Sequence, residues 1–437
     1  MKKVRQTKMS MMILAASLIL GAVSCKKEGC TDPDASNFNS EAKKDDGSCQ
    51  YVSNGGATVI AKAGFITSNE TWTANNIYTL TGKVVVNSGV TLTIEPGTII
   101  KGEQGTGTLA SALVVAQGGT INAVGTESQP IIFTSVLDNI EPGQLTGTNL
   151  SANDQGFWGG IIVLGYAPIS AGDGDVISQI EGIPASDAFG AFGGSNPNDN
   201  SGTMAYISIR HGGALIGSGN EINGLTLGGV GSGTTINNIE VVANLDDGIE
   251  FFGGTVNVSN LLIGFQGDDG IDIDMNYSGT VSNFTVINSA SSDEGLEIDG
   301  PEGTTYTSGL FTLENGTVFE EGGGLANGDF KSKAQGTINN VSFGEAKVRA
   351  SYQNACIDPK TDAFTNLTEN SPTLVFTACE FTSVGVYTGS DNGAGVPCTV
   401  SPTDQSAAES VMNSSSTSGG DITGFMNWTW TGVNGRL

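Results

Sequence analysis

The feature that most constrains this chain is a repeated acidic turn. Asp246-Asp247-Gly248, Asp268-Asp269-Gly270, Asp293-Glu294-Gly295 and Glu320-Glu321-Gly322 start 22, 25 and 27 residues apart. The first three continue alike, as Ile249-Glu250, Ile271-Asp272 and Leu296-Glu297, and the second and third add Asp274 and Asp299 two residues on. A repeat of this length marks a solenoid, in which each copy packs only on its neighbours. Alternate residues of a strand face opposite sides. Ile249, Ile271 and Leu296 are therefore expected to point into the core, and Glu250, Asp272, Glu297, Asp274 and Asp299 to point outward. Asn238, Asn260 and Asn283 precede the pairs by 8, 8 and 10 residues, which predicts a stacked asparagine ladder. Gly309 takes the place in the fourth copy, so the ladder is expected to end there.

Stacking sets an electrostatic problem. Neighbouring rungs lie about 4.8 Å apart, where two unit charges repel by about 1 kcal/mol in water and by several at a lower effective dielectric. No lysine or arginine occurs between Arg210 and Lys331. The carboxylates must hold protons, splay into water or share a cation. Ca²⁺ takes roughly six to eight oxygens from carboxylates and carbonyls. Its candidate ligands are Asp246, Asp247, Glu250, Asp268, Asp269, Asp272, Asp274, Asp293, Glu294, Glu297 and Asp299.

Composition narrows the partners. The 437 residues carry a net charge of −27 although only 14% are charged, and 64 are glycine. Such a chain repels nucleic acid and anionic lipid surfaces and attracts cations. A single histidine, His211, excludes histidine-based metal clusters and reads as structural in Arg210-His211-Gly212-Gly213. There is no phosphate-binding loop, dinucleotide fingerprint or Ser-His-Asp set.

The N-terminus reads as an export signal. Lys2, Lys3, Arg5 and Lys8 precede an apolar run from Met11 to Val23, 13 residues long and too short for a comfortable membrane span. Its end, Leu20-Gly21-Ala22-Val23-Ser24-Cys25, resembles a bacterial lipoprotein signal, which implies acylation of Cys25 and attachment to the outer membrane or cell surface through lipid. Lys26-Lys27-Glu28 is similar to the short signal that sends lipoproteins of Bacteroidota to the cell surface. Gly29-Cys30-Thr31-Asp32-Pro33 through Asp46-Gly47-Ser48-Cys49 resembles a Cys-bounded repeat of secreted Bacteroidota proteins, with Cys30 and Cys49 as the local disulfide pair. Among Cys356, Cys379 and Cys398, one pair and one free thiol are expected, with the assignment open.

From Val84 onward, β-branched runs alternate with glycine turns. The segment from Val90 through Ser135 resembles the first rungs of bacterial right-handed parallel β-helices. Asp154-Gln155-Gly156-Phe157-Trp158-Gly159-Gly160, with Gln179-Ile180-Glu181-Gly182 and Asp199-Asn200-Ser201-Gly202, resembles a family of largely uncharacterised, pectin-lyase-like β-helical surface lipoproteins. That resemblance runs from about Thr81 to Asn340. It implies an all-β, single-stranded right-handed parallel β-helix with a small disulfide-bounded N-terminal segment and a C-terminal cap. The expected organisation is a lipoprotein signal (1–24), a tether (25–55), the β-helix (56–345, with a long side loop at about 165–201) and a cap or irregular region (346–437), including a short helix at Gln405 to Met412. Trp428 and Trp430 are expected on one face of a strand, either inside the cap or as a sugar-stacking platform.

Two functional readings follow. The favoured one is a non-catalytic surface module for a glycan or an outer-membrane protein partner, stabilised by Ca²⁺. The other is a polysaccharide lyase or glycoside hydrolase using Asp268, Asp269, Asp272 and Lys331. Gly267-Asp268-Asp269-Gly270 is similar to the Gly-Asp-Asp-Cys motif of polygalacturonases, with glycine in place of the cysteine. A lyase needs a Lys or Arg base, and only Arg210, Lys331 and Lys333 flank the ladder.

Overall fold

A computed structural model describes residues 27–31, 39–45, 50–52, 56–216, 221–321, 327–349, 363–387 and 400–437. Cys25, Cys49, Cys356, Cys398 and residues 1–24 lie outside them. Among the described residues the strands form one 24-stranded sheet that winds on itself, with a separate two-stranded pairing in the side loop. Apart from Gln50–Val52, which runs antiparallel to Thr58–Ile66, the winding is parallel. The fold is a right-handed parallel β-helix, the hand that a parallel crossover takes.

The first rungs have three short strands, as in Ala112–Val115, Thr120–Val124 and Ile131–Ser135, and from Gly202 to Ser342 the last two of these merge into one long strand. Ile249–Phe252, Ile271–Asp274, Leu296–Ile298, Gly328–Phe330, Glu345–Arg349 and Ser383–Tyr387 stack in register as the first face. Gly202–Arg210, Thr235–Val242, Asn257–Gly264, Thr280–Asn288, Phe311–Glu320 and Gly336–Ser342 supply the other two. Each long strand bends at one left-handed residue: Tyr206, Asn238, Asn260, Asn283, Asn315 and Asn340, with φ between +51° and +56°. Asparagine tolerates this conformation better than other residues with a side chain, apart from glycine's freedom. It also bonds across rungs: Asn283 Nδ2 donates to Asn260 Oδ1 and Asn340 Nδ2 to Asn315 Oδ1, both at 2.8 Å.

The asparagine ladder thus runs on past the place where Gly309 was expected to end it. Gly309 lies in an insertion between Ile298 and Phe311, which spoils any count made back from Glu320. Glu320-Glu321 is not a fourth ladder turn either. Glu320 ends a long strand opposite Asn288, and Asn327-Gly328 occupies the turn.

Ile249, Ile271 and Leu296 are fully buried, as the alternation requires. They share one core with Phe251, Ile263, Phe284 and Val286, and each contributes about 1.5–3 kcal/mol of burial. The loop at 165–201 is ordered. Ile169, Ile180 and Phe192 pack with Val114, Ile162 and Phe252 outside the short-strand face as a second apolar cluster.

Parallel winding continues past residue 345 to Tyr387, beyond the boundary expected for the β-helix. A helix at Pro402–Val411 packs on one at Ala363–Thr368 and on the last rung. Gln405 bonds the open edge of that rung, its Oε1 accepting from Val386 N at 3.0 Å and its Nε2 donating to Val384 O at 2.7 Å. This amide substitutes for a missing strand.

The last residues then run back along the flank. Asn340 Oδ1 accepts from Ser418 N, Asn283 Oδ1 from Asp421 N at 2.6 Å, and buried Glu240 from Trp430 N and Thr431 N at 2.8 Å. Trp428 and Trp430 are buried against Leu262, Phe265 and Ile287. They sit in a turn and a short helix, Trp430–Val433, capped by Thr429. Neither an exposed platform nor an end cap describes them. They anchor a strap.

The left-handed column predicts a substitution series. Asn260→Gly keeps the backbone conformation and loses one hydrogen bond, costing about 1 kcal/mol. Asn260→Val adds left-handed strain, for a total of about 2–3 kcal/mol. Urea unfolding monitored by circular dichroism should rank wild type, Gly and Val in that order. Equal midpoints for Gly and Val would remove the conformational argument.

Candidate functional site

The outer surface of the short-strand face changes chemistry along the rod. One column reads Ile162, Thr226, Glu250, Asp272, Glu297, Asp329 and Lys347 in register. Its N-terminal end is apolar and covered by the side loop, its middle is acidic, and its far end is basic. Glu250 was expected to be exposed, but the loop buries it to 6% exposure. Asp272, Asp274, Glu297 and Asp299 are half-buried.

The second acid of each turn is used internally. Asp247 Oδ1 accepts from Asp269 N at 2.9 Å, and Asp269 Oδ1 accepts from Glu294 N at 2.6 Å. All three side chains are buried. The first acids differ: Asp246 is half-buried, while Asp268 and Asp293 are exposed.

Cations answer the far end, and sequence reasoning missed two of the three. Lys331 pairs with Glu297, Lys347 with Glu294, and Arg349 with Asp329. Lys347 and Arg349 stand two residues apart in one strand, an alternation that puts both on the same face. That was the available signal. Lys333 is exposed on the turn after Lys331. Arg210 is fully buried away from this face, donating to Ser208 Oγ at 2.7 Å and Leu145 O at 2.8 Å. His211 is buried beside it with Nδ1 at 2.7 Å from Asp154 O, and burial lowers its pKa.

At the other end of the column, Asn223 donates to Glu250 and, at 3.2 Å, to Glu181 of the loop. Glu181 and Asn223 were not picked out as site residues, although Glu181 lies in the Ile180-Glu181-Gly182 motif. Burial, with Asp274 and Glu221 adding to it, pushes Glu181 up to about 7. Burial, then Glu181 and Asp268, push Asp246 up to about 7. Burial first and like charges second hold Asp247, Glu250, Asp269 and Asp272 well above the usual carboxylate range.

Three groupings bring carboxylate oxygens within 4.8 Å of one another: Asp246, Asp247 and Asp268; Asp247, Glu250 and Asp272; and Asp269, Glu294 and Glu297. The third already has Lys331 and Lys347 as counter-ions. Beside the second, Asp272 Oδ1 and the Oδ1 of Asn223, itself 1% exposed, are buried without a hydrogen-bond partner. The alternative catalytic set is divided among these roles: Asp268 is exposed, Asp269 bonds backbone, Asp272 joins the second grouping, and Lys331 is 4% exposed against Glu297.

Residues 64–432 match the family model of a pectate-lyase-like β-helix domain. Two solved structures of the Aspergillus niger pectin methylesterase, in deglycosylated and penultimately deglycosylated forms, are similar to the chain at 12% identity. The overlap covers 74% of this chain and 86–87% of theirs, with TM-scores of 0.26 and 0.27. Nothing about the site carries over at that distance. No curated protein matches the chain.

The acidic cluster makes a pH prediction. Glu181 and Asp246 titrate at about 7 when folded, against 4.5 and 3.8 ordinarily, so the folded protein holds protons that the unfolded chain releases. Their contribution is whole below about pH 4 and is lost as pH rises through about 7. In a chelator, the melting midpoint should fall between about pH 5 and pH 8. A midpoint that rises over this range would contradict the assignment.

Proposed function

The chain belongs to the pectate-lyase-like β-helix domain family, and on that premise we propose that it is a non-catalytic surface module, a rigid rod that presents its flank to a glycan or protein partner. One observation carries this reading over a catalytic one. Lys331, one residue past the strand Gly328–Phe330, and Lys347 and Arg349, on the strand Glu345–Arg349, are each committed to a carboxylate. A lyase base must be free to take a proton from substrate.

The rod is held outside the cell by lipid on Cys25, at the outer membrane or cell surface. Cys30, which is buried and disulfide-bonded, closes the tether with Cys49. Cys379 is free and buried, leaving Cys356 and Cys398 as the remaining pair.

For Ca²⁺ the second grouping is the best supported of the three. Asp247, Glu250 and Asp272 offer a carboxylate grouping, and Asp272 Oδ1 and Asn223 Oδ1 lack partners nearby. Oxygen donors of this kind suit a hard divalent cation. A bound ion would neutralise the cluster and join adjacent rungs. The family's name favours a second reading, an enzyme acting on pectate through Asp268, Asp269, Asp272 and Lys331.

Two measurements test these proposals. Ca²⁺ at about a hundredfold over its Kd should stabilise the fold by about 2.7 kcal/mol, and Asp272→Asn should abolish that gain; an unchanged melting midpoint defeats the calcium site. Release of unsaturated or reducing sugars from polygalacturonate, lost in Lys331→Ala, would replace the non-catalytic reading with the enzymatic one.

A further inference from the structure

The outer column that becomes acidic in mid-rod begins with Phe65, Val85, Val114 and Ile162 in register. The side loop buries the last three, but Phe65 is 57% exposed. The tip of the loop brings Phe189 against it, with ring centroids 5.6 Å apart and planes at 82°. Tyr166, at the start of the loop, is 40% exposed. These rings line an open cavity of about 650 Å³ together with Asn87, Ser88 and Asp187.

The cavity is built on fixed parts. Gln117 Nε2 donates to Gly165 O at 2.8 Å and Gly193 O at 2.9 Å, tying the start of the loop and its returning segment to the rung below. Gly118 has φ +76°, and a Cβ there would lie 2.5 Å from Ser88 Oγ and 3.4 Å from Tyr166 Oη. The two hydroxyls therefore converge over bare backbone.

Resting on the binding-module reading, we propose that this cavity binds an uncharged oligosaccharide. Its size is in the range of ligand sites. Sugar rings offer apolar C–H faces to aromatic rings and a rim of hydroxyls to amides, hydroxyls and a carboxylate. Phe65, Tyr166 and Phe189 provide the first, and Asn87, Ser88 and Asp187 the second. Charge selects among sugars. Asp187 is the charged group among these lining residues, and the chain carries −27 overall, so uronate or sulfated chains are repelled. Exposed rings at the mouth, held by a loop too long to be a simple connection, are accounted for by such a ligand.

The test uses the full-length mature protein, with Ca²⁺ present, and calorimetric titration of cellohexaose, mannohexaose and xylohexaose, with hexagalacturonate as the charged control. One of the neutral chains should bind, and Phe65→Ala with Tyr166→Ala should weaken it by at least about tenfold without moving the melting midpoint. Tyr166→Phe should lose part of the affinity through the hydroxyl alone. Neutral binding that survives the double variant overturns the site and leaves the module reading standing. Preference for hexagalacturonate, or no binding of any of the neutral chains, overturns the proposal. Cleavage of hexagalacturonate would overturn the module reading instead.

Discussion

Rung spacing is the constraint on which this structure depends. A parallel β-helix places equivalent residues about 4.8 Å apart along its axis, so an acid repeated in sequence becomes a column of like charges. The rod resolves the column differently at different heights. At the turns, Asp247 and Asp269 spend a carboxylate oxygen on the backbone N–H of the next rung. At the far end, Lys331, Lys347 and Arg349 supply counter-charge. Between them, around Glu181, Glu250 and Asp272, burial and repulsion act together, and protons or a cation must remain.

The architecture was legible because the repeat carries it. Ile249, Ile271 and Leu296 point inward by alternation alone, and asparagines mark the bend in five of the six long strands. The site was legible only in outline. Glu250 reads as exposed from its own strand, but a loop some seventy residues earlier in sequence, around Glu181, covers it. A repeat register shows what lies above and below a residue. It does not show what folds across it.

Insertions account for the other differences. The loop before Phe311 displaces the fourth copy, so Glu320-Glu321 imitates a ladder turn without occupying one. The tryptophans misled for a different reason. Trp428-Thr429-Trp430 has strand-like alternation, but Glu240 accepts the N–H groups of Trp430 and Thr431 and so favours a helical turn there. That acceptor is about 190 residues away in sequence, beyond any local pattern.

The returning C-terminal strap changes the statistics of unfolding. An ordinary solenoid behaves as a one-dimensional array, free to fray from either end because each rung is coupled only to its neighbours. Here Ser418, Asp421 and Trp430 are tied to rungs at Asn340, Asn283 and Glu240. Those ties are parallel to the axis and skip the nearest-neighbour order. Losing an internal rung then costs contacts with a segment that other rungs also hold, so partial melting is penalised and the rod behaves more nearly as a single cooperative unit. Under mechanical load the same geometry has a direction. Tension on the C-terminus would unzip the strap contact by contact before it reached the sheet.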